Sequence, residues 1–298
     1  MHWFGVKVGG ITQNLLTGIK LTLILLFVFA PFVFGGNRSG LSFAPTSNDI
    51  DLILSSGWAI SLVYVVYAYS GWNATAYIAG SIENPQKTLP RSLIIGTVIV
   101  TIVYVALNFV FMYVAPFEML AFKKDVGNVA AAQIFGDSIS LVLSGFFSFA
   151  LLSTLSAMTI AGPRVTEAMG KDYSSLKILA GTNKFGMPYL AMLVQAAWAI
   201  FLILFSSFSE IIGNIAVSLS FFTLLSVIGL FVLRFRNKGE PRPFSTPLYP
   251  ITPILFIAMT LWMIIHESIS KPVVLLYSLG TVAIGLILYF FAAKKNNS

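Results

Sequence analysis

Eight runs of about twenty apolar residues, spaced along a chain of 298, constrain this sequence more than any other feature. They cover residues 11–34, 57–80, 92–115, 138–162, 187–207, 210–233, 248–267 and 272–293. A helix needs about 20 apolar residues to cross a hydrocarbon layer of about 30 Å, because each residue adds about 1.5 Å. Only 10% of the side chains are charged and 57% are hydrophobic. Soluble domains carry about 25% charge, and a chain this poor in it has no polar coat for a soluble core. The expectation is an all-α integral membrane protein, with residues 1–298 forming a single transmembrane domain that meets the lipid bilayer.

The basic residues sort by loop. One set of alternate loops holds Lys7, Lys87, Arg91, Arg164, Lys171, Lys177, Lys184, Arg234, Arg236, Lys238, Arg242, Lys294 and Lys295; the other holds Arg38, Lys123, Lys124 and Lys271. Cytoplasmic loops carry the excess of Lys and Arg, so the first set and both termini are expected in the cytoplasm, with the chain in the cytoplasmic membrane. The net charge of +7 is thereby spread beside the spans and forms no patch with interleaved aromatics, which excludes nucleic acid as a partner. The first run exceeds a signal-peptide core, and no small-residue cleavage pattern follows it, so it reads as a retained span.

Catalytic chemistry finds no support. Cysteine is absent, which removes disulfides, thiolate metal sites and a cysteine nucleophile. His2 and His266 stand far apart, no run holds two acidic residues, and the serines lack a nearby His and acid within the membrane. Metal ligation, cofactor chemistry, general acid–base work and serine hydrolysis are all unsupported, and the chain reads as a non-enzyme.

Two features inside the runs carry polar chemistry instead. The second run is interrupted by Tyr67-Ala68-Tyr69-Ser70-Gly71-Trp72-Asn73. Glycine and polar residues at mid-membrane leave backbone groups unpaired, which lipid does not tolerate unless protein, water or ligand satisfies them. Broken helices of this kind bind substrates at the bilayer midplane, whereas the plainer account is a glycine-mediated contact between helices. Lys20 is the one ionisable residue well inside a run, and at helical spacing Gln13, Thr17 and Lys20 share a face. An intramembrane lysine is costly and points to function; snorkelling toward an interface is the alternative. Residues 35–56 and 170–186 read as the longer linkers, and residues 239–253, with Pro241, Pro243, Pro247, Pro250 and Pro253, as a stretch that cannot be regular helix.

The run from Tyr67 to Arg91, with Tyr-Ser-Gly-Trp-Asn, Glu83-Asn84-Pro85 and Leu89-Pro90-Arg91 in order, resembles the sixth helix and following loop of the amino acid-polyamine-organocation permeases. Ala161-Gly162-Pro163-Arg164 with Ala168-Met169-Gly170-Lys171-Asp172 resembles the end of that family's eighth helix. Arg242-Pro243-Phe244 through Pro247-Leu248-Tyr249-Pro250 to Pro253 resembles the loop before its eleventh. The resemblance implies a partial inverted-repeat fold of five plus five helices: residues 11–34 as the last helix of the first repeat, 57–234 as the second repeat, and 248–293 as two extra helices. The family's first four helices find no counterpart.

The implied function is secondary active transport of amino acids, proton-coupled or by exchange. The implied substrate-binding residues are Tyr67, Ala68, Ser70 and Gly71, whose backbone meets the substrate's amino group, with Trp72 and Asn73 as side walls; core packing is the plainer account of Tyr67 and Trp72. Thr17-Gly18-Ile19-Lys20 resembles a fifth-helix lysine motif of proton-coupled or exchanging members, with Ser153, Thr154 and Ser156 of the eighth helix as its ion-coupling partners; small-residue packing is the plainer account of those three. The family's first helix, whose break cradles the substrate carboxylate, is among the unmatched ones. Three alternatives therefore stand beside a transporter: a non-transporting remnant, half of a split transporter completed by a separate chain, and an amino-acid-binding receptor.

Overall fold

The computed structural model describes residues 6–35, 44–123, 125–239, 242 and 244–296. Arg38, Lys124, Pro241 and Pro243, together with His2, lie outside the described residues. Every regular element among the described residues is helical. In order they are α1 (Val6–Phe34), α2 (Asp49–Ile53), α3 (Ser56–Ala68), α4 (Asn73–Tyr77), α5 (Pro85–Val114), α6 (Phe117–Leu120), α7 (Val126–Phe135), α8 (Asp137–Asp172), α9 (Tyr189–Phe205), α10 (Phe208–Arg236), α11 (Ile251–Ser270) and α12 (Pro272–Asn296).

Six of the expected spans are helices long and apolar enough to cross a membrane: Gly10–Phe34, Pro85–Val114, Asp137–Asp172, Glu210–Arg236, Ile251–Ser270 and Pro272–Ala292. The other two depart from an unbroken twenty-residue helix. The run 57–80 is split between α3 and α4, and the run 187–207 contains α9, whose 17 residues give an apolar length of about 26 Å. Apolar side chains cover the outer faces of these helices. On the last turn of α9, Ile203, Leu204 and Phe205 are each more than 70% exposed. In a chain of membrane-spanning helices such apolar exposure suits lipid or other transmembrane segments and is not an unstable surface.

Several boundaries moved for local reasons. α5 begins at Pro85, seven residues ahead of the expected 92, because proline is preorganised for the first helical position and has no amide to orphan there. Asn84 precedes it at φ 48° and its carbonyl accepts from the amides of Lys87 and Thr88, both at 3.0 Å. α8 runs on through Pro163 to Asp172, ten residues past its apolar run. Pro253, expected in irregular chain, lies in the first turn of α11, where an amide has no helical acceptor in any case. The loop between α5 and α8 carries two helices that hydrophobic run length did not reveal, α6 and α7, since ten residues are too few to register as a span. α7 starts at Asp125, whose carboxylate caps the Asn128 amide at 3.1 Å.

The helices gather into two units. The first takes the described parts of residues 1–44, 92–164 and 182–189. Its core joins Phe27 and Ala30 of α1, Val110 and Val114 of α5, Ala115, Leu120 of α6, and Ala130, Ala131 and Ile134 of α7. Phe147 of α8 meets Phe27 edge-on, with centroids 5.6 Å apart. The second takes residues 45–91, 165–181 and the described parts of 190–298. There Val63 of α3 packs with Ala216 and Val217 of α10 and Met263 of α11.

Within the second unit, the end of α8 is pressed against the 3₁₀ turn Ser174–Ala180. A Cβ at Gly170 would stand 2.6 Å from the Ala180 amide nitrogen, 2.9 Å from the Leu176 carbonyl oxygen and 3.0 Å from the Leu179 carbonyl carbon. All three are backbone atoms that yield only if the turn moves. Gly170→Ala is therefore expected to destabilise the fold by about 1–3 kcal/mol, seen as a lowered melting temperature of the detergent-solubilised protein.

Candidate functional site

In the second unit, α3 starts cleanly and ends abruptly. Ser55 caps it, its hydroxyl accepting from the Trp58 amide at 3.2 Å. At the far end Tyr69 leaves helical geometry with φ −90° and ψ 0°. Its amide is shared between the carbonyls of Val65 at 3.1 Å and Val66 at 3.2 Å, so the ladder tightens from four-residue to three-residue spacing. The 3₁₀ turn Ser70–Trp72 follows, then α4, then a second kink at Ile78, with φ −103° and ψ 8°, and a further 3₁₀ turn, Ala79–Ser81. The interruption falls where the sequence placed it, but it is a tightening and not an unwound gap. Cap amides donate to the carbonyls of Ser70 and Gly71, so these oxygens, expected to be unpaired, each have one partner. Three-residue pairing keeps the backbone satisfied where lipid offers no alternative.

Space, more than bare backbone, marks the break. A Cβ at Gly71 would find no atom within 4 Å among the described residues. A glycine that let a neighbouring helix approach would show the opposite. Around it, Tyr67 is half-buried against the Val63 core. Ala68 and Gly71 are exposed, Ser70 and Asn73 are half-buried, and Trp72 is 45% exposed. The Asn73 amide nitrogen donates to the Tyr77 hydroxyl at 3.1 Å, one turn on. Tyr77 was missed in the sequence, although the four-residue spacing of an amide and a phenol on one helix face is the signal that locates it.

In the first unit, α1 and α8 share a small polar cluster. Gln13 Nε2 donates to Thr17 Oγ1 at 3.2 Å and to Ser153 Oγ at 3.4 Å, and the Thr17 and Ser153 hydroxyls are 3.3 Å apart. Ser153 is fully buried, and Gln13 Oε1 is enclosed without a partner. The face of α1 that carries Gln13 and Thr17 thus meets the expected serine of α8. Thr154 is exposed on another side of α8, about 100° around the helix from Ser153. Ser156 is half-buried.

The two helices run antiparallel: Gln13 and Thr17 stand opposite Ser153, while Phe27, further along α1, stands opposite Phe147, earlier in α8. Lys20 lies one turn beyond Thr17 and Ser156 one turn beyond Ser153, in opposite directions, which separates their levels by about 9 Å. Lys20 is half-buried, and its amine makes no hydrogen bond or ion pair with the described residues. Among the described residues no three His, Cys, Asp or Glu side chains converge as a metal site would require.

Residues 1–290 match the family model described as Amino acid permease. The b(0,+)-type amino acid transporter 1 of Mus musculus is 28% identical over 293 residues, covering 96% of this chain and 58% of the relative. The serine/threonine exchanger SteT of Bacillus subtilis (strain 168) is 28% identical over 302 residues, 99% of this chain and 67% of the relative. The methylthioribose transporter of the same organism is 25% identical over 299 residues, 98% of this chain and 61% of the relative. The chain thus spans about 58–67% of the length of these relatives.

The α1–α8 cluster predicts an asymmetry between adjacent residues. Ser153→Ala leaves the Gln13 amide and the Thr17 hydroxyl short of a buried partner and should cost about 1–2 kcal/mol. Thr154→Ala, on the exposed side, should stay within about 0.5 kcal/mol of the parent. Thermal unfolding of the two variants in the same detergent checks the contrast.

Proposed function

We propose that this chain, which belongs to the amino acid permease family, serves secondary active transport of amino acids across the cytoplasmic membrane, with the interrupted α3 as its substrate site. The observation that carries the reading is the break itself, where α3 ends within an apolar run and the exposed Gly71 has open space beside it. A helix C-terminus bears partial negative charge, so the end of α3 favours an ammonium group. The carbonyls near Tyr67, Ala68, Ser70 and Gly71 supply the acceptors, since a carbonyl already holding one bond keeps a second lone pair. Trp72 and Asn73 form the side walls, the indole offering an apolar face and the amide a polar one.

Coupling is assigned to α1 and α8. The Gln13–Thr17–Ser153 bonds hold the two helices in register. Lys20, one turn away with no partner among the described residues, carries a positive charge that is lost when its ammonium releases a proton and regained when the amine takes one up, so that the side chain alternates between the two states through the cycle. Ser156 stands about 9 Å in level from Lys20 and makes no direct contact with it in this reading, and Thr154 is exposed. Exchange is the favoured mode, on the strength of the similarity to a serine/threonine exchanger. The distribution of Lys and Arg supports cytoplasmic termini.

The test is counterflow into proteoliposomes. Vesicles preloaded with unlabelled L-threonine should take up labelled L-serine several-fold faster than empty vesicles, and a pH gradient alone should drive little. Uptake driven by a pH gradient into empty vesicles would replace exchange with proton coupling. Saturable binding without transfer would make the chain a receptor, and uptake of methylthioribose in place of every amino acid would overturn the substrate class.

Gly71→Leu separates a binding role from a packing role. With open space around the Cβ position, the substitution should leave the melting temperature within about 2 °C, as surface substitutions do. It should lower serine uptake by about tenfold or more by filling the volume the substrate needs.

A further inference from the structure

The last turn of α11 encloses a carboxylate. Glu267 is fully buried; its Oε1 accepts from Lys271 Nζ at 3.0 Å, and its Oε2 is enclosed with no partner. Lys271 stands between α11 and α12, and its amide closes α11 by donating to the Glu267 carbonyl at 2.8 Å. The same ammonium donates to Tyr64 Oη of α3 at 3.0 Å and lies 5.4 Å from the centre of that ring. One cation therefore joins the end of α11 to α3, one turn before Tyr67. The other titratable groups at this level are otherwise engaged. His266 Nδ1 lies 2.9 Å from the Trp262 carbonyl, and Glu210, at the start of α10, is held by Ser207. Partial burial disfavours the charge on Lys271, but its hydrogen bonds to Tyr64 and Glu267, and their electrostatic attraction, outweigh that and hold its pKa above the ordinary lysine value.

A buried carboxylate is tolerated only when paired, so the Glu267–Lys271 bond is not an incidental surface contact. Its reach to α3 matters because of what α3 is: 13 residues that end in a break. Beyond the break the chain continues as short 3₁₀ turns on either side of α4 and not as a long regular helix, so the lateral hold on α3 comes from its flanks. Val63 gives an apolar contact that permits sliding. The Tyr64–Lys271 bond is directional and sets height and rotation. We propose that Lys271 is a positioning residue for the break, clamping α3 against the buried carboxylate of α11 so that Tyr67 to Gly71 hold the geometry that receives substrate. This rests on the reading of the break as the substrate site.

The experiment compares Tyr64→Phe, which removes only the phenolic oxygen, with Lys271→Arg, which keeps a cationic donor. Tyr64→Phe should raise both the Kd of labelled L-serine in detergent and the KM of uptake by about tenfold, with turnover within about twofold of the parent. Lys271→Arg should keep both constants within about threefold of the parent. Lys271→Met strands the buried carboxylate; the pair Glu267→Gln with Lys271→Met leaves no buried charge and should behave as Tyr64→Phe does. A readout without substrate uses the absence of cysteine: in a Ser70→Cys background, Tyr64→Phe should change the rate of modification by a water-soluble maleimide about fivefold or more. An unchanged labelling rate, or an unchanged KM with only a lowered melting temperature, overturns the clamp. A changed labelling rate in a protein that neither binds nor carries serine keeps the clamp and overturns the substrate site.

Discussion

Lipid offers no hydrogen bonds, and that one fact governs how this chain arranges its backbone. Each helix that crosses the bilayer must pair its own amides and carbonyls, and any departure from regular pairing has to be made good locally. At the end of α3 the chain departs twice within about ten residues, at Tyr69 and at Ile78, and both times it shifts to three-residue pairing. The distortion is thereby confined to direction and spacing. The backbone there keeps three-residue pairing and gains a bend, with open space beside the exposed Gly71.

The same constraint gathers several polar side chains into small groups, although Gln13 Oε1, Glu267 Oε2, Asn214 Oδ1 and Ser220 Oγ stay enclosed without a partner among the described residues. Ser153 is buried because Gln13 and Thr17 meet it. Ser218 and Ser278 bond to one another at 3.2 Å between α10 and α12, and Glu267 is buried because Lys271 returns over the last turn of α11. Each group also specifies an alignment, because hydroxyls and charges bond at one register where apolar ridges would accept several. Lys20 belongs to none of these groups: it is half-buried and without a partner among the described residues.

Much of this was legible in the sequence. Run length located six spans because composition alone decides whether a long helix suits lipid, and the Tyr67–Asn73 segment announced its break through glycine and polar residues. The face shared by Gln13 and Thr17 followed from helical spacing. Other features are set by partners distant in sequence. Tyr64 and Lys271 are 207 residues apart, and nothing local to either marks the bond. The level mismatch between Lys20 and Ser156 needed the antiparallel direction of α1 and α8. α7 escaped because a ten-residue apolar helix has neither the length of a span nor the polarity of a loop. Pro85 and Pro253 misled because proline that breaks a helix in its middle opens one at its start.

The seventeen residues of α9 have a consequence for the membrane itself. Shorter than α10, α11 and α12 of its unit, this helix falls a few ångströms short of an average hydrocarbon layer. Where lipid meets its exposed face, the acyl chains must shorten or tilt, and the elastic strain they carry grows with acyl-chain length. The bilayer is thus a mechanical load on one side of the protein: short or unsaturated chains relieve it, long saturated ones increase it.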